Sequence, residues 1–210
     1  MPLPQPVERE PVHTRRVECR GYRRTDGMLD IEGRLTDTKT YAFPNDHRGE
    51  VAAGEPVHDM WLRLTVDDEF VVRDVEASID HGPYEICPVI TPNFKRLIGI
   101  RIGRGWRRSV RDAVGGVDGC THLVELLGPI ATTAYQAMYS EKHRQRRLAG
   151  EHGEAVEVEF EEGAARPRPM LLNSCHAHGE TSPVVKSRWP DFYRGEDAAL
   201  PDQEVLTPDS

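Results

Sequence analysis

The chain has 210 residues, 38% of them hydrophobic and 30% charged, with a formal net charge of -8. That length suits one domain with appendages, and the acidic balance argues against nucleic acid as a general partner, because backbone phosphates call for a basic surface. No apolar run approaches the roughly 20 residues that span a bilayer, and the Pro-rich, acidic start lacks a signal peptide's apolar segment, so a cytoplasmic protein without membrane partners is expected.

In chain order, residues 1–14 read as a loose arm. Strands are expected from Val17 to Tyr22 and from Leu29 to Phe43, the second because "LDIEGRLTDTKTY" alternates. Residues 44–56, "PNDHRGEVAAGEP", have the Pro, Gly and Asn content of a loop. The clearest pattern is "HDMWLRLTVDDEFVVRDVEASI". Met60, Leu62, Leu64 and Val66 share one strand face, Trp61, Arg63 and Thr65 take the other, and Asp67-Asp68 turns the chain into a second strand.

Thr91-Pro92 then reads as a cap and first helical position for a short helix, "NFKRLIGI". "GWRRSVRDAVGG" is a second helix stopped by its Gly pair. A third begins near Cys120, with Leu123, Leu126, Leu127, Ile130, Ala131, Ala134 and Met138 at helical spacing, and Pro129 should kink or restart it. A late strand is expected at "AVEVEF", a strand and turn at "MLLNSCHAHGETSPVV", and a disordered acidic tail over 191–210. The basic clusters "RGWRRSVR" and "KHRQRR" read as exposed arginines, solvated or paired with carboxylates.

Strands first and helices after them predict an α+β fold, an antiparallel sheet with helices packed on one face. A single domain over 15–190 with its core in 54–140 follows, and its uncovered sheet face could take a second subunit of a homo-oligomer.

Four cysteines, at 19, 87, 120 and 175, form no CxxC pair and no disulfide framework in a cytosolic chain. His58 shares parity with Met60, and the loops bearing Cys87, Cys120 and His122 can converge on the open end of its strand. His58, Cys87, Cys120 and His122 are therefore candidate ligands for zinc or iron, in a mixed sulfur and nitrogen set. The competing reading is that each cysteine packs as a small hydrophobe and each histidine is hydrogen-bonded structure. Cys120 and His122 point the same way only if that step is extended, since inside a helix they diverge by about 200°. The run "SIDHGPYEIC" offers Asp80, His81, Tyr84 and Glu85 beside Cys87 as a catalytic loop or an ordinary polar one. Asp37 and Lys39 in "TDTK" read as an ion pair or as a pocket lysine, and Asp59 should face away from His58. Cys175, His176 and His178 form no self-contained site, but His176 or His178 could reach one built by other segments.

The segments "GRLTDTK", "GEPVHDMWLRLTVDD", "GPYEICP" and "GGVDGCTHLVELLGP" resemble an uncharacterised bacterial family, domain-of-unknown-function family 2889. The order of features from Gly54 to Met138 is similar, more distantly, to the NifU/IscU-type iron–sulfur scaffold proteins. That resemblance implies their fold and a pocket at the end of the hairpin, with His58 near the family's ligating Asp and Cys87 and Cys120 at two of its thiol positions. The position of its first thiol falls near Pro56, which leaves no three-thiolate set.

Without a phosphate loop, a nucleotide fingerprint or a GxSxG elbow, chemistry through a nucleotide cofactor is not expected. The reading is a small-molecule enzyme, a lyase before a hydrolase, cleaving an aromatic or hydrophobic substrate by elimination or retro-aldol chemistry. Its acid/base groups would be His58 and His122, with Tyr84 and Asp80, alone or with a divalent metal. Trp61, Tyr84 and Trp106 could bind such a substrate or simply pack. The alternative is a non-catalytic metal or iron–sulfur carrier.

Overall fold

Alternation of Leu29, Ile31, Gly33 and Leu35 with Asp30, Glu32, Arg34 and Thr36 decides the architecture, because successive side chains of a strand point to opposite faces. A computed structural model describes residues 3–148, 168–169 and 171–195. Strand β1, His13–Arg23, pairs antiparallel with β2, Leu29–Lys39, whose odd positions up to Asp37 are the buried ones. Strands β3, Phe43–Asn45, and β4, Gly49–Val51, form a small separate hairpin. Strand β5, Pro56–Val66, pairs with β2, and β6, Val72–His81, pairs with β5. The result is a four-stranded antiparallel sheet in the order β1-β2-β5-β6.

Strand β2 stops at Lys39, short of the expected Phe43, and β1 and the β3–β4 hairpin depart from the sequence reading as well. Strand β1 starts inside the expected arm, because His13 and Arg15 have a hydrogen-bonding partner in Asp37 of β2. The β3–β4 hairpin occupies much of the expected loop. Its turn is closed by the Asn45 side chain, which accepts from the backbone N–H groups of His47 and Arg48, and three-residue strands are too short to show a period. The turn between β5 and β6 follows the expected place, with the Asp67 carboxylate accepting from the N–H groups of Glu69 and Val71.

The first helix also differs. It runs Cys87–Leu97 as a 3-10 helix, so Pro92 lies inside it and Thr91 bonds back to the Pro88 carbonyl instead of capping. Pro88 and Pro92 supply no N–H, which removes rungs from an α-helical ladder and leaves the tighter winding. Helix α1, Trp106–Val114, buries Trp106, Val110 and Val114 along one stripe and ends at Gly115, as expected. Helix α2, Thr121–Leu148, continues unbroken through Pro129. Leu123, Leu126, Leu127, Ile130, Ala134 and Met138 are buried along it, and their grip on the sheet outweighs one lost backbone bond.

The packing of α2 on β2 is close. A Cβ at Gly33 would lie 2.7 Å from Cδ1 of Ile130, and one at Gly21 on β1 would lie 2.9 Å from Cβ of Ala137. The opposite sheet face is charged: Arg34 pairs with Asp59, Arg63 with Glu32, and Arg34 also lies 4.7 Å over the Trp61 ring. This is the α+β arrangement expected, with the core between the sheet and its helices.

The chain divides into two units, Met1–His152 and Gly153–Ser210. In the second, residues 171–175 form a turn where a strand was expected, followed by 3-10 turns at His176–His178 and Pro190–Phe192 and by α3, Pro183–Arg188, capped by Ser182. The expected strand "AVEVEF" and tail residues 196–210 lie outside the described residues. Among the described residues no helix is long and apolar enough to cross a membrane.

Candidate functional site

Strand register builds the site. Arg15 of β1 pairs directly with Asp37 of β2, and Asp37 pairs directly with His58 of β5. All three lie on the face that α2 covers, where His122 in its first turn meets them. The His58 and His122 rings have their centroids 3.9 Å apart. One ligand atom each from Asp37, His58 and His122 gathers within 4.8 Å.

Asp37 is 1% exposed and all four of its acceptor directions are used. Its Oδ1 accepts from His13 Nε2 at 3.0 Å and Arg15 Nε at 2.9 Å. Its Oδ2 accepts from a second Arg15 nitrogen at 2.8 Å and from His58 Nδ1 at 2.9 Å. Burial pushes this carboxyl up, but the hydrogen bonds from Arg15, His13 and His58 outweigh it and hold it well below the usual carboxylate range. Arg15 also reaches Glu125 of α2 at 2.8 Å, tying the strand edge to the helix.

Because an ionised carboxylate only accepts, the His58 proton sits on Nδ1 and the lone pair on Nε2. Burial first, then the neighbouring His122, lowers the pKa of His58. Burial first, then Arg15, lowers that of His122. Both imidazoles are thus neutral at neutral pH. The arrangement is an oriented base beside a second neutral imidazole, both partly shielded from water. It can take up a proton at Nε2 and return it to a second atom.

Of the residues singled out from sequence, His58 and His122 are brought together. Cys87 opens the 3-10 helix and packs against the core near Gly82. Cys120 immediately precedes α2 and directs its sulfur to Met60, 4.0 Å away, whereas His122, two residues on and inside the helix, meets His58. Neither belongs to the group of ligand atoms around Asp37. Asp80 lies at the end of β6 and accepts from Ser78 at 2.6 Å, and Tyr84 is 64% exposed. Trp61 is on the charged face, while Trp106 is buried under α2 with its indole N–H on the Leu127 carbonyl. Asp59 faces away from His58, on Arg34, as parity requires.

Of the two readings of Asp37 and Lys39, the ion pair does not form: Asp37 is taken by His13, Arg15 and His58, and the Lys39 amine lies 3.1 Å from the Tyr41 hydroxyl. Asp37's role had a legible signal: it continues the series Leu29, Ile31, Gly33, Leu35 and so stands at a core position. His13 and Arg15 carried no such signal. In the second unit Cys175 lies 3.6 Å from His178 Nδ1, a local contact of an exposed thiol with a half-buried ring.

Fold and site together define an α+β domain with a one-sided helical layer and an Asp–His–His cluster built on a buried aspartate. A family profile described as "Protein of unknown function (DUF2889)" matches residues 13–136, and the chain belongs to that family. The match takes in every member of the cluster, from His13 to Glu125. No curated protein and no solved structure matches the chain.

Proposed function

We propose that this domain is a small-molecule enzyme of the lyase type, with His58 and His122 as its acid/base pair. The observation that carries the reading is the hydrogen bond from His58 Nδ1 to buried, ionised Asp37. It fixes the ring and its tautomer, leaves Nε2 as a base, and stabilises the imidazolium that forms when Nε2 takes a proton. His122, neutral and tilted against it, holds the leaving oxygen through an N–H hydrogen bond, and the proton taken by His58 passes back to that oxygen. Removal of a proton from one substrate atom with protonation of another is what elimination and retro-aldol cleavage require.

The residues fit a divalent zinc or iron ion in one way. Asp37 has spent its acceptor capacity, so His58 Nε2 and His122 would hold the ion while Asp37 orients His58 from behind. Such an ion would supply a Lewis acid for a substrate oxygen. The carrier alternative asks for thiolates, and the placement of Cys87 and Cys120 outside the cluster favours the enzyme.

The test is a screen of elimination-prone and β-hydroxycarbonyl substrates with apolar or aromatic bodies, products followed by mass spectrometry. His58→Ala should abolish any turnover found, with the fold intact by circular dichroism. A full rate in that variant removes His58 from the chemistry.

A further inference from the structure

The basic run at 104–111 lines a groove that the His58 site leaves unused. Between α1 and α2 the surface encloses about 1050 Å³. Its walls include Trp106, Val124, Leu127, Ala131 and Tyr135, and its rim carries Arg107, Arg108 and Arg111. Among the described residues the side chains of Arg107 and Arg111 have no hydrogen-bond or ion-pair partner, and that of Arg108 has only a 3.7 Å contact with exposed Asp112. The one carboxylate in the lining, Glu125, is already neutralised by Arg15 at 2.8 Å. A net positive rim over an apolar floor thus stands in a chain whose formal charge is -8.

We propose that this groove binds a small carboxylate with an apolar body. Guanidinium groups take a carboxylate through charge-assisted, bidentate hydrogen bonds, and they are weakly hydrated enough to do so beside apolar surface. The body lies along Val124, Pro129 and Tyr135, the apolar lining that the helices leave accessible, and leaves water there. Gly128 opens the α2 wall: a Cβ built on it meets nothing within 4 Å. A ligand therefore reaches the helix backbone at that point, and a larger side chain there fills the groove without a clash.

The experiment is calorimetric titration of the full chain with dodecanoate and with biphenyl-4-carboxylate, dodecanol serving as the uncharged control. Binding of either carboxylate, at least about tenfold tighter than the alcohol, is expected. The double variant Arg107→Gln with Arg111→Gln should lose about tenfold in affinity, as two charge-assisted bonds are removed. Gly128→Leu should lose binding while its melting temperature rises, since a helix gains from replacing glycine. His58→Ala should bind like the wild type, which separates this site from the catalytic reading. The proposal is overturned if neither carboxylate binds, if the alcohol binds equally well, or if binding survives both groove variants. It is equally overturned if acidic peptides or anionic phosphatidylserine vesicles engage these arginines and the free carboxylates do not.

Discussion

His58 gives its Nδ1 proton to Oδ2 of Asp37 across 2.9 Å, between directly paired positions of two neighbouring strands. The carboxylate is inaccessible to water, and the imidazole remains at the edge of the helical layer. A buried carboxylate behind a histidine is an orienting device, and its consequences can be measured separately.

Removing the imidazoles and removing the thiols should have opposite effects. His58→Ala and His122→Ala are expected to lower turnover by at least about a hundredfold, the range of a lost acid or base. Cys87→Ser and Cys120→Ser should leave it within about threefold, because both sulfurs pack against the core. Steady-state rates of the four variants on one substrate decide it. A Cys87 variant as inactive as His58→Ala would return the thiol to the site.

Metal content should follow the same division. If the protein takes up zinc or ferrous iron, close to one ion per chain should be found by elemental analysis. His58→Ala and His122→Ala should lose it and Cys120→Ala should keep it. Loss in the cysteine variant alone would make Cys120 a ligand and disfavour the cluster described here.

Stability should fall in two stages on acidification. The histidines have depressed pKa values when folded, so below about pH 6.5 the unfolded chain binds more protons and stability declines as pH drops. Asp37 is also depressed. Its contribution is complete above about pH 4 and is lost as pH falls through the folded value. Melting temperature against pH should therefore show an upper stage absent from His58→Phe with His122→Phe, and a lower stage reduced in Asp37→Asn, where Asp67 and Asp74, lowered by their own hydrogen bonds, still contribute. A wild-type profile flat from pH 7 to 5 would contradict the burial of the imidazoles.

Asp37→Asn should cost about 2 kcal/mol, since it uncouples Arg15 and His13 from a buried acceptor while Arg15 stays partly hydrated. Denaturant unfolding measures it. A neutral result would mean that the cluster contributes nothing to holding β1 on the sheet.

Gly33→Ala should destabilise by about 1–3 kcal/mol, because the added carbon meets Ile130 and Leu126 where α2 crosses β2. Leu126→Ala should cost about 2–5 kcal/mol by leaving a cavity at the same crossing. Equal stability of Gly33→Ala and wild type would show that α2 can shift outward freely.

The sequence by itself determined the elements whose order is local. The alternation in "HDMWLRLTV" specified β5, its acidic turn specified the hairpin, and the spacing of Leu123, Leu126, Leu127 and Ile130 specified the apolar face of α2. Strands before helices were enough for the α+β class. His58 and His122 were legible for the same reason: each sits at a fixed phase within a periodic element.

Only the tertiary structure decided who their partners are. Asp37 lies 21 residues from His58 and 22 from Arg15, and what joins them is the antiparallel register of three strands. A one-residue slip in that register would send each side chain to the opposite face. The register is fixed by the packing of whole faces, Gly33 beneath Ile130 among them, which no short stretch of sequence contains. Cys120 shows the converse. It is next to His122 in every local sense, yet the start of α2 turns it toward Met60 and the core.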